Sequence, residues 1–145
     1  MAQADVAVVL VEPQTPGNIG SVARVMKNFG FRQLLLVAPR CSHRGAEAKK
    51  LAANAADVLA AAKKISWRQL LRNYDYIVAT TAKLGTDYNI PRSPLSPADA
   101  AAKLAKVRRR RIAVVFGRET FGLRNSEIAD SDMLVSIPAA KGYTA

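Results

Sequence analysis

The sequence predicts an α/β fold, a mostly parallel sheet flanked by helices. Three observations carry this reading. Short continuous apolar runs rich in Val, Ile and Leu recur along the chain, the pattern of strands buried on both faces. Stretches with apolar residues at three- and four-residue spacing alternate with them, as helices connecting parallel strands do. Two of the apolar runs end in glycine-bearing turns, at the strand-to-helix edge where open α/β sheets bind ligands.

The first strand is expected over residues 6–11, followed by a turn over 12–17. Ile19, Val22, Ala23, Met26 and Phe29 then mark a helix stopped by Gly30. A second buried strand covers 34–38 and ends at Pro39, which completes one βαβ unit of nearly forced handedness. Residues 45–64, rich in Ala and Lys, favour helix, with Asn54 and Asp57 as places where it divides. Ser66 is placed to cap a short helix through Leu70 and Leu71. A third strand is expected over 76–79, running into Thr80 and Thr81, and the proline-rich stretch 87–97 reads as an irregular loop. Ser96 and Pro97 open a helix to about Lys106, Pro being favoured in the first turn. Arg108, Arg109, Arg110 and Arg111 precede a strand over 112–116; a short helix over 125–129 and a strand over 133–137 complete the series.

The 145 residues fit one domain, and half of them are hydrophobic, enough for a globular core. A net charge of +11, from 22 Lys and Arg against 11 acids, suits a polyanionic partner, and the low aromatic content favours nucleic-acid backbone over a stacking groove. The single cysteine, Cys41, excludes an internal disulfide. With no signal sequence and no apolar stretch of membrane-spanning length, the expected location is the cytoplasm. No Gly-x-Gly-x-x-Gly or phosphate-gripping loop occurs. One His and one Cys, at Cys41 and His43, offer too few ligands for a metal centre.

The chemistry-bearing residues gather in the two turns. In the first, Pro16 and Gly17 shape the bend and Asn18 stands near the helix start, where it can serve as an N-cap or as a site residue. Arg24 interrupts the apolar face between Val22, Ala23 and Met26. A guanidinium there either pairs with a carboxylate or phosphate or snorkels at the helix edge. In the second turn Gly117 permits close backbone approach, Arg118 and Glu119 leave the strand end, and Gly122 reverses the chain.

Read together, the segments Glu12-x3-Pro16-Gly17-Asn18-Ile19-Gly20-Ser21-Val22-Ala23-Arg24-x2-Lys27-Asn28-Phe29-Gly30 and Phe116-Gly117-Arg118-Glu119-x2-Gly122-Leu123-x3-Glu127-Ile128, continuing to Ile137-Pro138, resemble motifs 1 and 2 of the SpoU/TrmH family of RNA ribose 2'-O-methyltransferases, in the SPOUT superfamily. The opening at Glu12 and the absence of an added N-terminal domain are similar to the TrmJ-type branch, which acts on the tRNA anticodon loop.

The resemblance implies a SPOUT-type sheet with a C-terminal trefoil knot, S-adenosylmethionine as cofactor, and a homodimer whose active sites are shared across the interface. Carried onto this sequence, Arg24, Asn18 and Glu119 are the implied catalytic residues. Thr80, Thr81, Ala82, Gly117, Ile137, Thr144 and Ala145 are the implied cofactor loops. Arg40, Arg44 and Arg108 to Arg111 are candidates for the tRNA backbone, or a solvated basic helix end. The family's motif 3 is expected to begin at about Thr144, so this chain, ending at Ala145, is expected to hold an incomplete knot and to bind cofactor weakly or not at all. Alternatives to a tRNA methyltransferase are the same reaction on another RNA, such as rRNA, and a non-catalytic RNA-binding module of the same fold.

Overall fold

In the computed structural model, residues 5–82, 93–107 and 110–138 are described. Six parallel strands form one sheet in the order β3-β2-β1-β5-β4-β6. The first βαβ unit is β1 (Asp5–Val11), α1 (Pro16–Asn28) and β2 (Gln33–Val37). Then come α2 (Ala46–Ala52), a single 3-10 turn at Ala53–Ala55, α3 (Ala56–Ala60) and the edge strand β3 (Lys63–Ile65). Next are α4 (Trp67–Asn73), β4 (Tyr76–Thr81), α5 (Pro97–Leu104), β5 (Arg111–Phe116), α6 (Asn125–Ala129) and β6 (Met133–Ser136).

The two serine caps form as the sequence predicts. Ser66 Oγ accepts from Gln69 N at 3.1 Å while Gln69 Oε1 accepts from Ser66 N at 3.1 Å, a reciprocal capping box. Ser96 Oγ accepts from Asp99 N at 3.1 Å. Three expectations change. The Ala- and Lys-rich stretch holds two helices and a 3-10 turn, and its end, Lys63–Ile65, pairs with Leu35–Val37 as an edge strand. Its two lysines suit an edge position, which is why periodicity did not mark it as strand. Helix α1 starts earlier than the apolar spacing indicated, at Pro16, with Thr15 as N-cap, so Asn18 does not cap it. Gly17 accordingly lies in the first helical turn rather than in a bend. Of the 87–97 loop, residues 87–92 lie outside the described residues, but Leu95 bridges to β6: its N donates to Leu134 O and its O accepts from Ser136 N, both at 2.8 Å.

Alternation along β1 and β5 divides the core into two faces. Ala7, Val9 and Val11 join Ala113 and Val115 on one face, covered by Leu70 and Tyr74 from α4 and its end and by Ile128 of α6. On the other face Leu10, Leu34 and Leu36 pack under Ile19, Ala23 and Met26 of α1 and the alanines of α2. Farther along that second face, Val78, Ile112 and Met133 meet Ala100 of α5. Between the two patches Val6, Val8, Val114 and Phe116 remain only partly covered and form the floor of a cleft.

Helix α1 can lie this low because it is thin where it meets α2. A Cβ on Gly20 would collide with the carbonyl of Ala48, and one on Gly17 with the Leu51 and Glu47 side chains. Gly20→Ala therefore has to push backbone from backbone, and is expected to destabilise the protein by about 1–3 kcal/mol. A denaturant midpoint unchanged from wild type would contradict that packing.

Candidate functional site

The two motif turns meet at the carboxyl edge of β1 and β5, and a buried arginine joins them. Arg118, 5% exposed, donates from Nη1 and Nη2 to Glu127 at 2.8 and 3.1 Å, a two-pronged pair. Its Nε and Nη2 reach Glu12, and Nη1 also donates to Gly122 O at 3.2 Å. Glu12 follows β1 in a left-handed backbone conformation (φ 47), a strained geometry costing on the order of 1–3 kcal/mol at a non-glycine residue. That turn aims its carboxylate between Arg118 and Arg40, whose Nη2 lies 2.6 Å away. Arg40 and then Arg118 hold the Glu12 carboxyl below its ordinary 4.5. Glu127, and more weakly Glu12, hold the Arg118 guanidinium protonated against the pull of burial.

Glu119 makes a second tie. Its carboxylate accepts from Gln14 N at 3.0 Å, Thr15 N at 3.3 Å and Asn18 Nδ2 at 3.3 Å. An acid supplied from 101 residues away in sequence thus sits at the start of α1, where the helix dipole favours negative charge. The second turn itself closes by a mutual backbone pair, Arg118 N to Gly122 O and Gly122 N to Arg118 O, at 3.1 and 2.9 Å. Gly117 is required there because any Cβ would strike the Gly122–Leu123 backbone, and Gly122 takes φ +76.

Above these ties lies a cleft of about 800 Å3. Asn18, Thr80, Thr81, Ala82, Gly117, Glu119 and Ile137 all line it, so seven predicted site residues converge on one place. Its loops are fastened to one another: Ile137 N donates to Thr81 O at 2.8 Å, and the buried Thr80 hydroxyl donates to Val115 O at 2.9 Å. Thr144 and Ala145 lie outside the described residues.

Arg24 is not in the cleft. It stands exposed on α1 beside the lining stripe of Asn18, Ser21, Val22, Val25 and Phe29, with no hydrogen-bond or ion-pair partner among the described residues. Of the other cations, Arg40 and Arg44 follow β2 at the carboxyl edge, whereas Arg110 and Arg111 sit at the opposite, amino edge at the start of β5. Arg111 is engaged with Asp5 at 3.4 Å, with Asn73 O at 3.0 Å and over the Tyr74 ring. Arg108 and Arg109 lie outside the described residues.

Sequence reasoning missed the Arg118 clamp. Both of its carboxylates fall inside the two motifs, but no spacing rule tells that Glu12, 106 positions away, shares a guanidinium with Glu127. Nor does Cys41 offer a nucleophile: burial pushes its thiol up, and Sγ donates to Pro13 O at 3.4 Å.

The sheet and cleft define an α/β protein with a composite candidate site at the carboxyl edge of its central strands. The chain belongs to the SpoU rRNA Methylase family, whose profile matches residues 5–145. It is 41% identical over 139 residues to the tRNA (cytidine-2'-O-)-methyltransferase TrmJ of Methanocaldococcus jannaschii, covering 95% of this chain and 60% of that protein. It is 37% identical to the tRNA (cytidine/uridine-2'-O-)-methyltransferase TrmJ of Pectobacterium atrosepticum, covering 97% of this chain and 57% of the relative. The crystal structure of TrmJ from Z. mobilis ZM4 superposes with a TM-score of 0.83 at 29% identity, over 95% of this chain and 60% of that one. The chain thus spans about 60% of the length of these relatives. No helix among the described residues is long and apolar enough to cross a membrane.

Removing one member of the clamp leaves buried charge uncompensated. Arg118→Ala is expected to cost about 3–5 kcal/mol, read as a shift of the urea midpoint; a loss below 1 kcal/mol would show that the carboxylates find other partners. Two of the groups with lowered pKa values, His43 and Glu12, shape the upper part of the acid limb. His43 is 5% exposed, with Nε2 unpartnered among the described residues, and burial first, then Arg44 and Lys64, lowers its pKa from 6.5. Both His43 and Glu12 are depressed on folding, so each stabilises above its unfolded value and the contribution is lost as pH falls. Stability should decline first below pH 6.5 and again below 4.5. His43→Leu should remove only the upper step, and a melting-temperature profile with that step intact would contradict the assignment.

Proposed function

We propose that this chain is an S-adenosylmethionine-dependent methyltransferase domain acting on a ribose 2'-hydroxyl of tRNA, at a cytidine or uridine of the anticodon loop. The single observation that carries the reading is the convergence of both motif turns and the loops after β4 and β6 on one cleft, in a chain 41% identical to a tRNA 2'-O-methyltransferase. A tRNA substrate agrees with the +11 charge, and the location that goes with this reading is the cytoplasm.

The cleft suits the proposed cofactor. Its floor of Val8, Val114 and Phe116 is apolar enough for an adenine ring, and Thr81, Ala82 and Ile137 bring backbone groups to its rim. S-adenosylmethionine would supply an electrophilic methyl group there. The protein's task is then alignment, because holding reacting atoms in line lowers a barrier by several kcal/mol. Glu119 and Asn18 fix the start of α1 against the second turn, which keeps that wall of the site rigid. Arg24 would orient the hydroxyl and the adjacent phosphate with its planar fork; a guanidinium holds its own protons at neutral pH, so the hydroxyl proton would pass to solvent water, late, as the oxygen acidifies on methylation.

Since Arg24 lies outside its own cleft, it acts in the cleft of a second copy, and the working unit is a homodimer. The exposed Val25 and Phe29 beside it, 55% and 75% accessible, give such a contact an apolar centre. The SPOUT-type knot belongs to the same reading.

Incubation of the full-length protein with unmodified tRNA and methyl-labelled S-adenosylmethionine, followed by alkaline hydrolysis, tests the reaction. A labelled dinucleotide that resists cleavage is the expected product; base-labile label, or none, rejects ribose methylation. Arg24→Lys should keep the fold and lose most turnover, because a point charge cannot hold two groups in a fixed fork. Near wild-type turnover in that variant would sink the positioning role.

A further inference from the structure

Phe121 stands out at the cleft as a large apolar side chain in a place where the fold does not ask for one. The turn it occupies is built by Gly117, Arg118 and Gly122, and its conformation needs nothing of the side chain at 121. The ring is 55% exposed on the rim of the cleft that also holds Asn18 and Glu119. Two guanidinium carbons approach it, Arg118 Cζ at 5.0 Å and Arg124 Cζ at 5.8 Å from the centroid.

These two cations differ in what they have left to give. Arg118 is consumed by Glu127 and Glu12 and serves to hold the ring from below the surface. Arg124 has a side chain 60% exposed, and among the described residues its ion-pair neighbour is Glu12 at 4.0 Å, already shared with Arg40 and Arg118. The rim therefore presents a braced aromatic face beside an unspent, always-charged donor fork. An aromatic platform next to a guanidinium is the combination that takes an unpaired nucleobase and its phosphate, since proteins read single-stranded RNA loops by stacking bases on aromatic rings.

Building on the tRNA methyltransferase reading above, we propose that Phe121 and Arg124 form the seat of the target nucleotide, Phe121 stacking its base and Arg124 holding a flanking phosphate, so that the ribose is presented to Asn18 and Glu119. Stacking accepts any base face. The seat therefore fixes position without choosing between cytidine and uridine.

The test compares wild type, Phe121→Leu and Phe121→Trp with an unmodified tRNA transcript. Phe121→Leu keeps an apolar side chain and removes the ring; kcat/KM for tRNA should fall about tenfold or more, with the melting temperature unchanged. Phe121→Trp should restore it, and the ratio of cytidine to uridine methylation should stay the same in all three. Wild-type activity in Phe121→Leu, or no rescue by Phe121→Trp, overturns the seat. A binding readout separates this from failure of the reaction itself. The lone native tryptophan, Trp67, packs on the opposite face of the sheet, so the additional emission of Phe121→Trp should be quenched when tRNA is added. Quenching without methyl transfer by wild type would retain the seat and reject the reaction; transfer without quenching would reject the seat.

Discussion

The buried contact of Arg118 with Glu12 and Glu127 is the constraint on which the rest of the site depends. A guanidinium removed from water is tolerable only when its donors are met, and here Nε, Nη1 and Nη2 all find acceptors. Meeting them requires the end of β1, the turn after β5 and helix α6 to occupy fixed positions relative to one another. The strained backbone at Glu12 and the glycine at 117 are both consequences, since one aims a carboxylate at the clamp and the other lets the turn close under it.

Once the turns are held, the cleft follows from what covers the sheet. Helices α1, α2 and α3 cover one end of the face and α5 the other, leaving Val6, Val8, Val114 and Phe116 between them. Glu119 then bridges from the second turn to the start of α1, so the polar wall of the cleft is rigid while its floor is apolar. A few fixed polar groups beside a larger apolar area is the division usual in small-ligand sites.

Much of this was legible in the sequence, and what was not has a physical cause. The strands announced themselves through buried aliphatic runs, and Ser66 and Ser96 announced their helices, because these signals are local. Glycine at 117 marked a close approach, although it is the chain's own Gly122–Leu123 backbone that comes near. The strand Lys63–Ile65 was invisible because three residues at a sheet edge carry no periodicity. The Arg118 clamp was invisible because it is tertiary: its carboxylates lie 106 and 9 positions away. Arg24 interrupted an apolar stripe as the sequence said, but its side chain is exposed at the stripe's border with no partner in its own chain among the described residues.

Under the proposed function, the separated loops make a single cofactor site at the carboxyl edge. Ultraviolet cross-linking of labelled S-adenosylmethionine, followed by peptide mapping, tests it directly. Label confined to peptides carrying Thr80 to Ala82, Gly117 and Ile137 is the predicted result. Label on the basic hollow at the amino edge, around Arg32, Lys63 and Asn73, in place of those peptides would contradict it.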